Sequence, residues 1–418
     1  MVSMNDLKLK TDQVLENLNP IQHLNHLDYP RRVGTKGEQK AAAYIKQVLE
    51  QTGYEPFIQE FKFAKPKVLP KLVIPIILVV WTILSLANLQ FWENNPIISI
   101  FVLTLPLVLI LVMLNIDQVM MYFFGRQRRK ILQVAQKIED GTLSDNEVIT
   151  SQNIIAEIGP KDADRQVLFT AHYDSISSKV PIRLMNLSAI LGMIGLVIYS
   201  LLYLFQLLPG ISLELSFNFL TIFALILLTS LEIFFLARLF RGNESHGIID
   251  DGTGVAILLE LTKFMKTHEI PGHRFTFGFF SAEESGLIGS AYFYMNHIFD
   301  KTKLHVISID MIGERAPLSY VKGIYPIRRR LMNPGFNEQI ASIARRLEIE
   351  IKGKTYPYPG SDFGHFMLDG GCKTNWLISG SRLIHSKTDN LDNVNETLVK
   401  DALKLMVAYL LELENSMS

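Results

Sequence analysis

Three apolar, β-forming runs in this sequence end in residues able to ligate a metal or move a proton. Arg165 to Ala171 (RQVLFTA) is followed by His172, with Asp174 two residues further on. Arg274 to Ser281 (RFTFGFFS) leads through Ala282 to Glu283 and Glu284, and His305 to Ile309 (HVISI) ends in Asp310. Two turn-like stretches add more of the same chemistry, Asp250-Asp251-Gly252-Thr253-Gly254 and His385-Ser386-Lys387-Thr388-Asp389. Each piece has an ordinary explanation when taken singly. A histidine at a strand end is commonly a hydrogen-bonded scaffold, Asp-Asp-Gly is commonly a turn or helix cap, and paired glutamates are commonly surface charge. Together they form a pattern. Ligands of open α/β sheets bind beyond the carboxyl ends of strands, and three separate strands ending in histidine or carboxylate are hard to explain by packing alone.

Histidine and carboxylate donors without thiolates suit a hydrolytic metal centre. The only cysteine is Cys372, which excludes both a multi-cysteine zinc site and an internal disulfide framework. Two ions ~3.5–4 Å apart need two partly separate ligand sets joined by a shared carboxylate. Five ligands of these types, one of them shared, fit two zinc ions with positions left open for water. Metal lowers the pKa of bound water towards neutrality, and an unliganded carboxylate can take the released proton. Glu283 and Glu284 are adjacent, so their side chains diverge and one can bind metal while the other faces the water.

The elements that must position these residues read as one α/β domain. Helical composition covers Gly37–Gln51, Thr253–Met265, Ala291–His297, Pro334–Leu347 and Asn395–Leu413; strand patterns cover Tyr54–Phe63, Val148–Ile158, Arg165–His172, Arg274–Ser281, His305–Asp310 and Asn375–Ile378. Strands alternating with helices predict a mostly parallel, mixed sheet sandwiched by helices. Residues 131–146 read as a charged connector. The domain is expected from three segments together, 1–66, 126–182 and 241–418.

Between them lie four apolar blocks. Leu72–Phe91, Asn94–Ile116 and Leu184–Leu213 hold no charged residue, and Leu215–Leu231 runs on through Glu232 to Ala237. A bilayer core of ~30 Å needs about 20 apolar helical residues, so the expectation is two transmembrane hairpins, 68–125 and 184–240, giving four spans. Glu232 is expected to reach the membrane interface or to pair with Arg238. The loops inside each hairpin lack Lys and Arg, whereas the outer ends are basic: Lys62, Lys65, Lys67 and Lys71; Arg126, Arg128, Arg129 and Lys130; Lys179 and Arg183; Arg238 and Arg241. The positive-inside rule places those ends, and the catalytic domain with them, on the cytoplasmic side of a multi-pass cell-membrane protein. The polar stretch Met1–Pro20 lacks the pattern of a secretory signal. Formal net charge is zero over 418 residues, so no overall field attracts nucleic acid; the expected partners are a peptide substrate and the lipid bilayer.

With these residues in view the chain resembles the co-catalytic di-zinc aminopeptidase family that includes aminopeptidase Y, with glutaminyl cyclase as a relative. The resemblance runs through PRRVGTKGEQKAAAYIKQVLEQTGYEP (Pro30–Pro56), LFTAHYDS, IIDDGTGVAILLE, FFSAEESGLIGS, SIDMIG, GSDFGHF and HSKTDNLDNVN. It implies that His172 and Asp310 bind one zinc, Glu284 and His385 the other, and Asp250 bridges. It implies that Glu283 is the general base and then the acid for the leaving amine, and that Asp174 orients His172. Ser361 and Asp362 match a Ser-Asp stretch near the substrate pocket. The sequence departs from the family in three ways. Ile384 stands before His385, where several relatives carry a tyrosine that assists the tetrahedral intermediate. Phe363-Gly364-His365 follows Asp362, where histidine directly follows the aspartate in the family pattern. The hairpins interrupt the domain, the second between Asp174 and Asp250, so the mouth of the site is expected close to the cytoplasmic membrane face. The implied function is zinc-dependent aminopeptidase action on N-terminal residues of peptides there. A glutaminyl-cyclase-like acyltransferase and a non-catalytic membrane scaffold are the alternatives, and the complete set of ligands and base favours hydrolysis.

Overall fold

The structure, a computed structural model, describes residues 4–91, 108, 111, 112, 114–206, 214–325, 329–368 and 372–415. The chain forms two compact units. The first comprises Met1–Lys65, Met120–Ser177 and Asn243–Ser418; the second comprises Pro66–Val119 and Ser178–Gly242.

The first unit is built on a nine-stranded mixed sheet. Its strands are β1 (Phe57–Ala64), β2 (Val148–Ile158), β3 (Arg165–His172), β4 (His273–Phe280), β5 (Leu304–Ile309), β6 (Arg315–Ile324), β7 (Arg330–Leu331), β8 (Ile351–Tyr356) and β9 (Lys373–Gly380). They lie in the order β1-β2-β4-β3-β5-β9-β6-β8, with β7 beside β6. The central strands β4, β3, β5 and β9 run parallel, so their carboxyl ends emerge together. From Val167 onward β3 is buried at every residue, as a parallel strand covered on both faces must be. Its apolar residues come in a run for that reason, and Phe169 stacks on Phe277 of β4 at 5.6 Å.

Helices α2 (Lys36–Gln51), α7 (Thr253–Thr267), α9 (Pro334–Arg346) and α11 (Glu396–Asn415) share the main apolar core with the sheet. Thr35 caps α2, its side chain accepting from the Glu38 amide, and Pro334 opens α9, where its missing N–H costs nothing. Helix α8 (Ile288–Asn296) packs on β1 and β2, and the short α10 (Gly364–Leu368) packs on α8 and β9. Several elements lack a strong sequence signal. α1 (Met4–Leu15) is short and polar. β6 contains Pro317, Lys322 and Gly323, residues that argue against a strand when read alone. β8 is partly exposed and carries Lys352, Gly353 and Lys354. The expected connector 131–146 is corrected as well. α4 (Ile116–Glu139) continues through its first nine residues, burying Ile131 while its charged residues face outward.

In the second unit, among the described residues, two helices are long and apolar enough to cross a membrane, Ile182–Leu202 and Phe219–Ala237. They belong to α5 (Ile182–Gln206) and α6 (Glu214–Ala237). The first apolar block lies in α3 (Val68–Phe91), where the apolar stretch is the shorter Leu69–Ser85; Asn88 and Gln90 follow it. Most of the second block, Asn94 to Ile116, lies outside the described residues. Two of the four expected spans therefore meet the length and hydropathy requirement. α5 and α6 meet through small residues. A Cβ on Gly192 would lie 2.6 Å from Leu231 Cβ, and one on Gly195 would lie 2.6 Å from both Ala224 O and Leu228 N. Glycines that let two backbones come this close are characteristic of helix pairs in lipid. Trp81 of α3 packs edge-on against Tyr199 of α5 at 5.0 Å. Glu232 accepts a hydrogen bond from Thr82 Oγ1 at 2.8 Å, so a hydroxyl on α3 takes the place of the expected Arg238 partner.

A side chain at Gly195 meets backbone atoms that cannot turn aside. Gly195→Val is expected to lower stability by about 1–3 kcal/mol, the usual cost of overpacking. Thermal unfolding in detergent would show this as a lowered midpoint. Gly335→Ala is the control, because its Cβ meets nothing within 4 Å.

Candidate metal centre

The carboxyl ends of the parallel strands deliver the site. His172 is the last residue of β3, and Asp310 follows β5 directly. Glu283 and Glu284 follow β4 after Ser281 and Ala282. Asp250 comes from the turn Ile248–Gly252 that leads into α7, with a cis peptide between Asp250 and Asp251. His385 comes from the loop after β9. Ala282, Met311 and His385 all have φ between 54° and 58°, the left-handed region that costs a non-glycine residue of order 1–3 kcal/mol. Strain of this kind falls beside or on the residues that carry the chemistry.

Asp250 stands between the two histidines. Its Oδ1 lies 3.0 Å from His172 Nε2 and its Oδ2 lies 3.3 Å from His385 Nε2. His172 Nε2 is 3.8 Å from Asp310 Oδ1, and His385 Nε2 is 2.9 Å from Glu284 Oε1. The side chains thus form two groups able to hold a cation, His172–Asp250–Asp310 and Asp250–Glu284–His385, each with its ligand atoms within 4.8 Å of one another. Asp250 belongs to both.

Other residues fix these ligands. His172 Nδ1 lies 3.1 Å from the backbone carbonyl of Asp174 and 3.6 Å from its carboxylate, so the nearer contact is the main chain. Asp174 Oδ1 accepts from the Glu283 amide at 3.0 Å. Ser361 and Asp362 are buried, and the Ser361 hydroxyl meets Ser308 Oγ at 2.8 Å. Five supporting residues were given no role by the sequence reading, although each lies in a motif quoted above. Asp251, fully buried, accepts from His172 N at 3.2 Å and from Gly254 N at 3.0 Å. Gly254 has no room for a Cβ, which would lie 2.5 Å from both Asp251 oxygens. Asp389, also buried, accepts from Ile249 N at 2.6 Å beside the Asp250 turn. Glu38 accepts from Ser151, Ser281 and Gly34 behind the Glu283 strand end. Arg31 is fully buried with its guanidinium among backbone carbonyls.

The electrostatics identify the missing charge. Burial pushes the Glu283 carboxyl well above the ordinary range, and Glu284 and Asp310 push it further against the pull of His172. Burial likewise raises Glu284 and Asp310, and it raises Asp362 to about 7 and Asp389 to about 8. Asp250 goes the other way: burial would raise it, but the two flanking histidines hold it below the ordinary carboxylate range. Burial would lower His385, yet Glu284 and Asp250 outweigh it and carry the ring to about 10. The pocket therefore holds more carboxylate than its own cations can balance. Glu284 Oε1 and Asp310 Oδ1 are buried with no aligned hydrogen bond. Lone pairs left open among histidine and carboxylate donors fit divalent ions of the zinc type.

Comparison with known proteins agrees with this chemistry. Residues 231–410 match the sequence profile of Peptidase family M28. The chain is 30% identical over 180 residues to leupeptin-inactivating enzyme 1 of Streptomyces exfoliatus, a match covering 37% of this chain and 39% of that enzyme. The chain thus matches less than half the length of that relative. In structure it is similar to LapB from Legionella pneumophila, with a TM-score of 0.52 at 15% identity, covering 97% of this chain and 75% of that one. It is equally similar to the aminopeptidase from Aneurinibacillus sp. strain AM-1, with a TM-score of 0.52 at 14% identity, covering 96% and 95%. At such identities the likeness establishes a shared fold, the α/β mixed sheet flanked by helices.

Because Asp250 serves both groups, Asp250→Ala is expected to abolish binding of both ions. Asp310→Ala should remove one and spare the other. Zinc content per chain after dialysis distinguishes the two outcomes.

Proposed function

We propose that the chain is a zinc-dependent metallo-aminopeptidase of the M28 type. The observation that carries this reading is Asp250 with one carboxylate oxygen turned to each histidine, in a pocket with excess carboxylate. In this reading the peptidase domain comprises 1–66, 126–182 and 241–418. His172 and Asp310 would hold one zinc ion and Glu284 and His385 the other, with Asp250 shared by the two sets. Ions so placed supply a water of lowered pKa and polarise the scissile carbonyl. The Glu283 carboxylate takes the proton from the attacking water as its oxygen bonds to the carbonyl carbon. It returns that proton to the amine nitrogen as the C–N bond breaks. Asp174 accepts from the Glu283 amide and lies against His172, and so orders the base and the ligand together. Ser361 and Asp362 line the substrate side next to Asp310.

The catalytic test is release of free N-terminal amino acids from a peptide panel by the detergent-purified chain. Chelator should abolish release, and Glu283→Gln should lower kcat by at least 100-fold, the low end of general-base contributions, while zinc content stays unchanged. A Glu283→Gln variant as active as the wild type removes the base assignment. Cyclisation of Gln-peptides without amino-acid release would replace hydrolysis by acyl transfer.

The four apolar blocks are read as two hairpins that hold the domain at the cytoplasmic membrane face, where the substrates are short peptides at or in the membrane surface. The apolar helices, the close glycine contacts of α5 with α6 and the basic outer ends support this. The protein should stay in the pellet after alkaline washing of membranes and enter the supernatant only with detergent. Release by alkali alone would argue for a peripheral or soluble protein.

A further inference from the structure

His172 and Asp250, whose ligand atoms lie 3.0 Å apart, are separated in sequence by the whole of Ser178–Gly242, which belongs to the second unit. The excursion's own ends are joined, Lys179 N donating to Phe240 O at 3.1 Å, but this contact lies several residues from either ligand. Arg31 makes contacts inside the first unit next to the ligands themselves. Its Nε donates to Tyr173 O at 2.8 Å, next to His172. Its Nη2 donates to Gly247 O at 2.7 Å, and its Nη1 donates to the carbonyls of His246 and Leu27. Gly247 O also accepts from Gly252 N at 2.9 Å, closing the turn that presents Asp250. The main chain repeats the connection: Arg31 N donates to Ser175 Oγ at 2.9 Å, and that hydroxyl donates to Ser245 O at 3.1 Å. Packing here is tight, since a Cβ on Gly247 would lie 2.4 Å from Ser175 Cβ.

The guanidinium donates to backbone carbonyls, and the carboxylates of Asp389, Asp174 and Asp251 favour its charge against burial. Only the planar fork of arginine reaches this many acceptors at fixed angles. We propose that Arg31 is a positioning residue for the metal centre: it ties the segment before the insertion to the segment after it, and so sets His172 and Asp250 at bridging distance. The inference rests on the two-metal reading above.

The test is zinc affinity by chelator competition on the full-length, detergent-purified chain, below the melting transition of each variant, with the metal-free melting midpoint measured alongside. Arg31→Lys should weaken both ions by about 10–100-fold, the usual effect of losing a residue that orients ligands. Ser175→Ala should weaken them in the same direction by less. Leu403→Ala, in the core of α11, should lower the midpoint and leave affinity unchanged. Wild-type affinity in folded Arg31→Lys overturns the proposal, as does an equal affinity loss in Leu403→Ala at the same drop in midpoint. If Arg31→Lys does not fold, unchanged affinity in Ser175→Ala overturns it. A wild-type chain that binds no zinc overturns the metal reading itself, and this inference with it.

Discussion

Like charges held together away from water repel, and the repulsion must be met by something. Asp250, Glu284 and Asp310 converge beyond the parallel strands, with Glu283, Asp174, Asp251, Asp362 and Asp389 around them. The protein's nearby positive groups are His172, His385 and the buried Arg31. The strand ends, the strained φ angles at Ala282, Met311 and His385, and the tight turn at Gly247 all hold these groups in place against their repulsion. Protons or cations must offset such a cluster, and its two groups of histidine and carboxylate donors are of the kind that can hold a cation.

The site was legible in the sequence because its ligands fall at the ends of elements with the strongest patterns. β3, β4 and β5 are buried on both faces, so their apolar runs are unbroken and the first polar residue after each is conspicuous. Asp250 was legible through its Asp-Asp-Gly turn, and Gly254 beyond it leaves space for the Asp251 carboxylate. The supporting residues were harder to see, because Arg31, Glu38 and Asp389 act through contacts with residues far away in the chain. Nothing in their local sequence separates them from surface charges. β6 and β8 were hidden by Pro, Gly and Lys, residues depleted in strands, although β6 lies inside the sheet and only β8 at its edge. The α4 extension was hidden because the charges of 131–146 gather toward its end, at Lys137, Glu139, Asp140 and Asp145, and the apolar residues before them were read with that stretch.

The second unit follows a different set of rules. Its helices present apolar side chains such as Leu187, Ile190, Ile226 and Ile233 outward, the reverse of the first unit. α5 and α6 hold together through backbone proximity at Gly192 and Gly195, a form of packing that needs no gain from excluding water. The hydrogen bond between Thr82 and Glu232 satisfies a carboxylate that lies among apolar neighbours. One chain thus carries two solutions to burying its polar groups, divided at short junctions.

The junction beside the metal centre has a consequence for how such a chain can change over generations. Within the first unit the chain departs after Ser177 and returns at Asn243, and Ser177 Oγ accepts from the Glu244 amide at 3.0 Å. No strand of the nine-stranded sheet is interrupted there. A segment of almost any length can therefore be gained, lost or exchanged at this doorway without passing through an ancestor with a broken sheet. The sheet-bearing unit and the helical unit can then be inherited as separate modules.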